Sequence, residues 1–224
     1  MQKTSSQKKK KAMSKSAGWI LLTLVMMPCF ASAIDLKLSI VAPDALAVED
    51  AVVELLPLNA DAAVSSSGQK EMSQQDRTFI PFVLTVPKGT RVNFPNLDRT
   101  RHHVYSFSEP KPFELKLYVG TPQEPVLFDK PGIVALGCNI HDYMQAFIYV
   151  SDSSHARVTD SEGQASFTGL PAGNYRLRVW HPWQNGELLE TALTLPAENR
   201  LLKYQIDIDR QQKPSAPPAG FGGL

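Results

Sequence analysis

The sequence predicts an all-β chain of sandwich architecture, as one large or two small domains. Three observations carry this. Short runs alternate apolar and polar residues, the period of a half-buried strand. Turn signals separate the runs, in a chain with 17 Pro and 13 Gly. Helix-period apolar patterns are scarce, which leaves sandwich architecture.

The elements follow in order. Leu36 to Val41 alternates cleanly, and Ala51-Val52-Val53-Glu54-Leu55-Leu56 reads as a second strand. Residues 59–75 are rich in Ala, Ser, Asp and Gln and read as a loop. Phe79 to Val86 is apolar but holds Pro81, so it reads as an edge or bent strand. Strands follow at Arg91 to Phe94, His102 to Phe107 and Phe113 to Leu117. Ile133 to Leu136 leads into Cys138, and Ala146 to Val150 leads away from Met144. Beyond Val150 the texture changes. Turn chemistry at 158–163 and 170–175 brackets strands at Ala165 to Phe167 and Tyr175 to Trp180, and two more lie at Leu189 to Leu195 and Leu202 to Ile208. Residues 211–224 have little to bury and read as a disordered tail.

Residues 1–33 read as an export signal. Lys3, Lys8 to Lys11 and Lys15 form a positive region, Gly18 to Phe30 an apolar core, and Ala31-Ser32-Ala33 a small-x-small cleavage site. The apolar run falls short of the ~20 residues of a membrane span, so no stable anchor is expected after cleavage. Removing six lysines from a chain of net charge +1 leaves about −5. That balance argues against nucleic acid, whose binding rests on basic patches. The expected location is the periplasm. The remaining stretch of about 190 residues is enough for one large or two small cores.

Cleavage also leaves Cys138 as the single cysteine, in a compartment where cysteines usually pair. It opens Cys138-Asn139-Ile140-His141-Asp142-Tyr143-Met144, a thiol, an imidazole and a thioether at three-residue steps. Met144 is one of only two methionines past the signal, the other being Met72. Thiolate, imidazole and a weak thioether are the donors of a blue-copper site. Such a site needs a second imidazole, and Arg101-His102-His103-Val104 can supply one. Neighbouring strand residues face opposite ways, so only one of His102 and His103 can face the ion. Zinc prefers a fourth strong ligand or water, and thioether softness favours copper. Taken singly, a Cys or His is more often structural; it is the coincidence of all four that points to metal.

Gly89-Thr90, Val92, Phe94, Asn96, His102, Val104, Gly137-Cys138, His141 and Met144 together resemble the cupredoxins, the plastocyanin- and amicyanin-like blue copper domains, over residues 65–150. The resemblance implies a cupredoxin Greek-key β-sandwich and one type 1 copper ion held by His102, Cys138, His141 and Met144, with His103 outside the site. It also implies that Asn96 tethers the copper loops and that His141 lies near the surface as the electron exit. Ile140 stands where such loops often carry Pro. A longer pattern that adds Val179-Trp180-His181-Pro182 is similar to exported proteins of the methylamine-utilization type, a label that does not by itself involve methylamine.

Residues 158–163 with Gly169 to Tyr175 resemble carboxypeptidase-regulatory-like domains, whose earlier strand pair is similar to Asp50-Ala51-Val52-Val53-Glu54-Leu55. This implies a second, small immunoglobulin-like β-sandwich that is discontinuous, 34–58 with 151–210, and a cupredoxin domain inserted at a loop tip, where insertions are tolerated. The alternative is two domains in series. A contact between the 51–56 and 174–180 strands distinguishes them. Trp180 and Trp183 could stack a sugar, but aromatics more often serve a core; we expect Trp180 in the core, Trp183 over an edge, and His155 and His181 solvated.

The expected function is outer-sphere transfer of single electrons between Cu(I) and Cu(II), with redox proteins as partners and c-type cytochromes as candidates. No nucleophile–base or carboxylate pair is evident, so the chain does not read as an enzyme. The rival readings are a periplasmic copper carrier or store, and a glycan- or protein-binding sandwich with a vestigial copper site.

Overall fold

The computed structural model describes residues 33–58, 68–196, 198 and 200–217. The expected signal, apart from Ala33, lies outside the described residues, as do 59–67 of the expected loop and 218–224 of the expected tail. The described residues form seventeen strands: β1 (Ala33–Val41), β2 (Val52–Pro57), β3 (Gln69–Glu71), β4 (Ser73–Gln75), β5 (Thr78–Ile80), β6 (Val83–Pro87), β7 (Thr90–Asn93), β8 (His102–Ser106), β9 (Phe113–Tyr118), β10 (Val126–Phe128), β11 (Gly132–Gly137), β12 (Gln145–Ser151), β13 (Ala156–Val158), β14 (Gln164–Pro171), β15 (Gly173–Trp180), β16 (Leu189–Leu195) and β17 (Arg200–Gln205). None of the described residues is in a helix long and apolar enough to cross a membrane.

Sheets β14-β1-β17 and β13-β2-β15-β16 share one core. Leu36, Leu38 and Ile40 point into it while Asp35 and Lys37 point out, as a two-residue period requires. Leu177 and Val179 of β15 meet them with Val53 and Leu55 of β2. β2 pairs antiparallel with β15 from Val52↔Trp180 to Leu56↔Arg176. A second core lies between β6-β12-β11-β8-β9 and β10-β7-β3. The chain crosses repeatedly between these two sheets, and the hairpins β8–β9 and β11–β12 become neighbours through Gly137↔Tyr105. This is a Greek-key winding, and it places Cys138 and Met144 at one end of the core.

The two cores meet at a smaller apolar cluster. Val52 packs with Val83 and Tyr149, flanked by Phe82, Phe147 and Trp180. That explains why Val52, Val53, Glu54 and Leu55 are all buried: β2 is covered on both faces. Glu54, 1% exposed, accepts hydrogen bonds from Tyr149 Oη at 2.9 Å, Ser151 Oγ at 2.5 Å and Asp152 N at 3.2 Å. Arg178 Nη1 stands 3.6 Å from it. A buried carboxylate requires such partners.

Several expectations differ from the structure. Within the expected loop at 59–75, β3 and β4 form, because β3 pairs in parallel with β7 through its main chain whatever its polar side chains prefer. Phe79 to Val86 is two strands, divided at Pro81, and β6 lies at a sheet edge. The three-residue β10 and β13 have no alternation long enough to register in sequence. His181, expected in solvent, is 3% exposed. Its Nε2 lies 3.1 Å from Glu49 O, and its Nδ1 accepts from Trp183 N at 3.1 Å. His155 is half-buried. Trp180 packs against Phe147 and Tyr149, and Trp183 against Phe82, with ring centroids 5.4 to 5.9 Å apart. Residues 211–217 hold no strand, yet Lys213 Nζ lies 2.8 Å from Glu49 Oε2 and 2.7 Å from Asp50 Oδ2.

Candidate metal centre

Cys138 leaves β11 and Met144 leads into β12, so a hairpin closes the Cys138–Met144 loop. Gly137↔Gln145 pairing fixes its two ends, and Met144 N donates to His141 O at 2.9 Å within it. This turn brings His141 back toward the thiol. His102 arrives from β8, which Gly137↔Tyr105 pairing locks beside β11. Nδ1 of His102 and Nδ1 of His141 each lie 3.9 Å from Cys138 Sγ. One ligand atom from each of the three residues falls within 4.8 Å of the others. A nitrogen and a sulfur bound to one ion at about 2.0 and 2.3 Å with a trigonal angle stand roughly 3.7 Å apart. The spacing therefore suits a shared ion.

His102 is 0% exposed, Cys138 3% and Met144 0%. His141 is half-buried, and Ile140 beside it is exposed. Met144 packs in the same core cluster as Cys138. His103 turns away, as strand alternation demands: its Nε2 lies 2.8 Å from Glu114 Oε1 on the outer face.

A carboxylate that sequence reasoning missed holds His102. Nε2 of His102 lies 2.8 Å from Asp98 Oδ2. Asp98 in turn accepts from Asp76 N at 2.8 Å and Arg77 N at 2.9 Å. Asp76 and Arg77 form the two-residue β4–β5 turn, with φ of 52° and 57°. That left-handed pair aims both N–H groups at the carboxylate. Burial would raise the Asp98 pKa, but the Arg77 N–H, His102 and the Asp76 N–H outweigh it and hold it below the usual value. Burial, His102 and Arg77 push the His141 imidazole down. The one signal available in sequence was a carboxylate four residues ahead of a histidine.

Asn96 does not follow the expected pattern in full. Its Nδ2 donates to Thr100 O at 2.9 Å and Tyr118 O at 2.8 Å, and its Oδ1 accepts from Asp98 N at 2.9 Å. It braces the 96–100 loop against β9, and none of these bonds reaches the Cys138 loop.

No protein-family model matches the sequence, and no curated protein does. Among solved structures, the chain is similar to the Cu-containing nitrite reductase (NirK) from Thermus scotoductus SA-01, at 27% identity and TM-score 0.37, over 43% of this chain and 25% of that one. It thus spans a quarter of that enzyme's length. It is also similar to a purple cupredoxin from Nitrosopumilus maritimus, at 19% identity and TM-score 0.32, over 37% of this chain and 99% of that one. A reduced Cu(I) form of an amicyanin mutant gives 18% identity and TM-score 0.33, over 44% of this chain and 98% of that one. The fold observed is all-β, and its strand order around Cys138 is the Greek-key sandwich expected of a cupredoxin.

Proposed function

We propose that His102, Cys138, His141 and Met144 hold one type 1 copper ion and that the protein carries single electrons in the periplasm. The observation that carries this reading is the convergence of two Nδ1 atoms on one buried thiol, each at 3.9 Å. The donors fit: one thiolate, two imidazoles and a thioether are a soft set suited to copper. When bound, the metal supplies one-electron redox chemistry.

The chain's own residues do the rest. Asp98 accepts the His102 Nε2–H, so the Nδ1 lone pair is left to face the thiol. Val104, Val134, Leu136 and Ile148 keep water from the buried side. Half-buried His141 is the edge through which an electron leaves. Partners are redox proteins, c-type cytochromes among the candidates, that dock transiently through small interfaces. The Lys-rich leader supports export. Pairing of β2 with β15 supports a discontinuous carboxypeptidase-regulatory-like sandwich, 34–58 with 151–210, carrying a cupredoxin domain over 65–150.

The test is titration of the purified protein with Cu(II). An intense thiolate-to-copper band in the visible is expected. Cys138→Ser and His102→Ala should abolish it, and His103→Ala should keep it. Colour that survives Cys138→Ser rejects the reading.

A further inference from the structure

β11 runs between β8 and β12 in the five-stranded sheet, and its outward residues Ala135 and Gly137 are small. Each is paired with an aromatic residue: Ala135 with Phe147 of β12, and Gly137 with Tyr105 of β8. A Cβ built on Gly137 would lie 2.7 Å from Tyr105 Cζ and 2.8 Å from Tyr105 Oη. The phenol ring therefore lies over the β11 main chain, in space that any side chain at 137 would fill. Phe107 stands beside it, with ring centroids 5.1 Å apart, and is 87% exposed. Phe147 is fixed by edge contacts to Phe82 and Trp180, with centroids 5.7 Å away in both cases. The result is an open groove of about 450 Å³, floored by Ala135 and Gly137 and walled by Tyr105 and Phe107 on one side and Phe147 on the other. Two strand spacings separate β8 from β12, roughly 10 Å. That leaves room for one alkyl-substituted group between the rings.

Asp142, from the Cys138–Met144 loop, lines the same groove, and no Lys or Arg does. Among the described residues its carboxylate enters no ion pair and accepts no hydrogen bond. Its electrostatic influence falls on the His141 imidazole, whose Nδ1 faces Cys138. The other charges nearby are closed on one another: Lys130 with Glu109 at 3.5 Å, and His103 with Glu114 at 2.8 Å. Asp142 is thus an exposed carboxylate without a counter-ion, in a groove walled by three aromatic rings.

We propose that this groove binds a small organic ammonium ion, with its alkyl groups between Tyr105, Phe107 and Phe147 and its positive charge against Asp142. Aromatic faces attract cations, most strongly where the cation has shed its water. An alkylated ammonium is weakly hydrated and sheds water readily. A metal ion does not suit the groove, because hard cations require several oxygen ligands and only one carboxylate is offered. A neutral ligand would leave that carboxylate unpaired. The volume falls within the range of small-molecule sites, which selects a free ion over a segment of another protein.

The test titrates the purified protein, after copper addition and reduction, with choline and with the uncharged tert-butyl isostere of choline, at about 0.15 M salt. Calorimetry gives Kd, and proton NMR follows the N-methyl signal, which ring currents move upfield over aromatic faces. Saturable choline binding with Kd below about 10 mM and an upfield shift are expected, with the isostere about tenfold weaker. Asp142→Asn and Phe107→Leu should each weaken choline about tenfold. Phe107 is exposed, so its replacement does not touch the core. Glu109→Gln removes an exposed carboxylate outside the groove and should change nothing. Absence of saturation, equal affinity for the isostere, or equal weakening by Glu109→Gln and Asp142→Asn overturns the ammonium site. A capped glycine peptide with one lysine that binds more tightly than choline also overturns it, and gives the groove to a basic protein. None of these readouts depends on the metal, so ammonium binding and copper binding fail separately.

Discussion

Nε2 of His102 and Oδ2 of Asp98 lie 2.8 Å apart, and the same imidazole presents Nδ1 to Cys138 Sγ at 3.9 Å. One ring thus spans the thiol and a carboxylate that is itself held by two turn N–H groups. Such partners orient a ligand and raise its basicity. Asp98→Asn is therefore expected to weaken copper binding about 10- to 100-fold, read by competition with a Cu(I) or Cu(II) chelator. Loss of the negative charge should also raise the reduction potential, because the oxidised site carries the greater positive charge. Unchanged affinity and potential would remove Asp98 from the centre.

His181 provides a pH dependence. Burial pushes its pKa down to about 4, so the folded ring is neutral: Nε2–H donates to Glu49 O, and Nδ1 accepts from Trp183 N. Its ordinary value is about 6.5. Between those values the unfolded chain binds the proton and the folded chain does not, so stability falls as pH drops through that window. His181 should make the protein about 2 kcal/mol less stable at pH 5 than at pH 7. Urea midpoints at the two pH values measure this, and His181→Gln should remove most of the difference.

Glu54 joins the two cores. Glu54→Ala would leave the Tyr149 hydroxyl without its buried acceptor and the Ser151 hydroxyl with the Ser153 carbonyl alone. We expect a loss of about 3 kcal/mol in denaturant unfolding. The visible copper band should persist, because the carboxylate contacts the far end of β12 from Met144. A loss of less than ~0.5 kcal/mol would place it among ordinary surface changes.

Gly163 has φ of +70°, and a Cβ there would sit 2.4 Å from Ile40 O. That oxygen is main chain near the end of β1, held by the N–H of Val48 at 3.0 Å, and cannot yield cheaply. Gly163→Ala should cost about 1–3 kcal/mol, measured by thermal melting, whereas Gly186→Ala, with the same sign of φ and open space around it, should cost less.

Much of the site was legible in the sequence. Cys138, His141 and Met144 lie within one short hairpin loop, so chain connectivity alone keeps them near one another. Strand alternation limited the second imidazole to one of His102 and His103, and the structure turns His103 to Glu114. Alternation also located β1, β8, β9 and β15, whose inward residues line the cores. The strands that escaped were those whose backbone pairing owes nothing to side-chain pattern: polar β3 and β4, and the three-residue β10 and β13.

What the sequence by itself determined, then, is the all-β class and the candidate ligands gathered in the Cys138 loop, because short-range spacing governs both. Only tertiary structure decided that a turn at Asp76–Arg77 braces Asp98 behind His102, that Tyr105 lies on Gly137, that Glu54 ties two cores together and that His181 is buried. Each of these joins residues that lie far apart in the chain or face a strand neighbour, and their meeting depends on which strands pair and in what register, information carried by the whole set of buried contacts and by no local run.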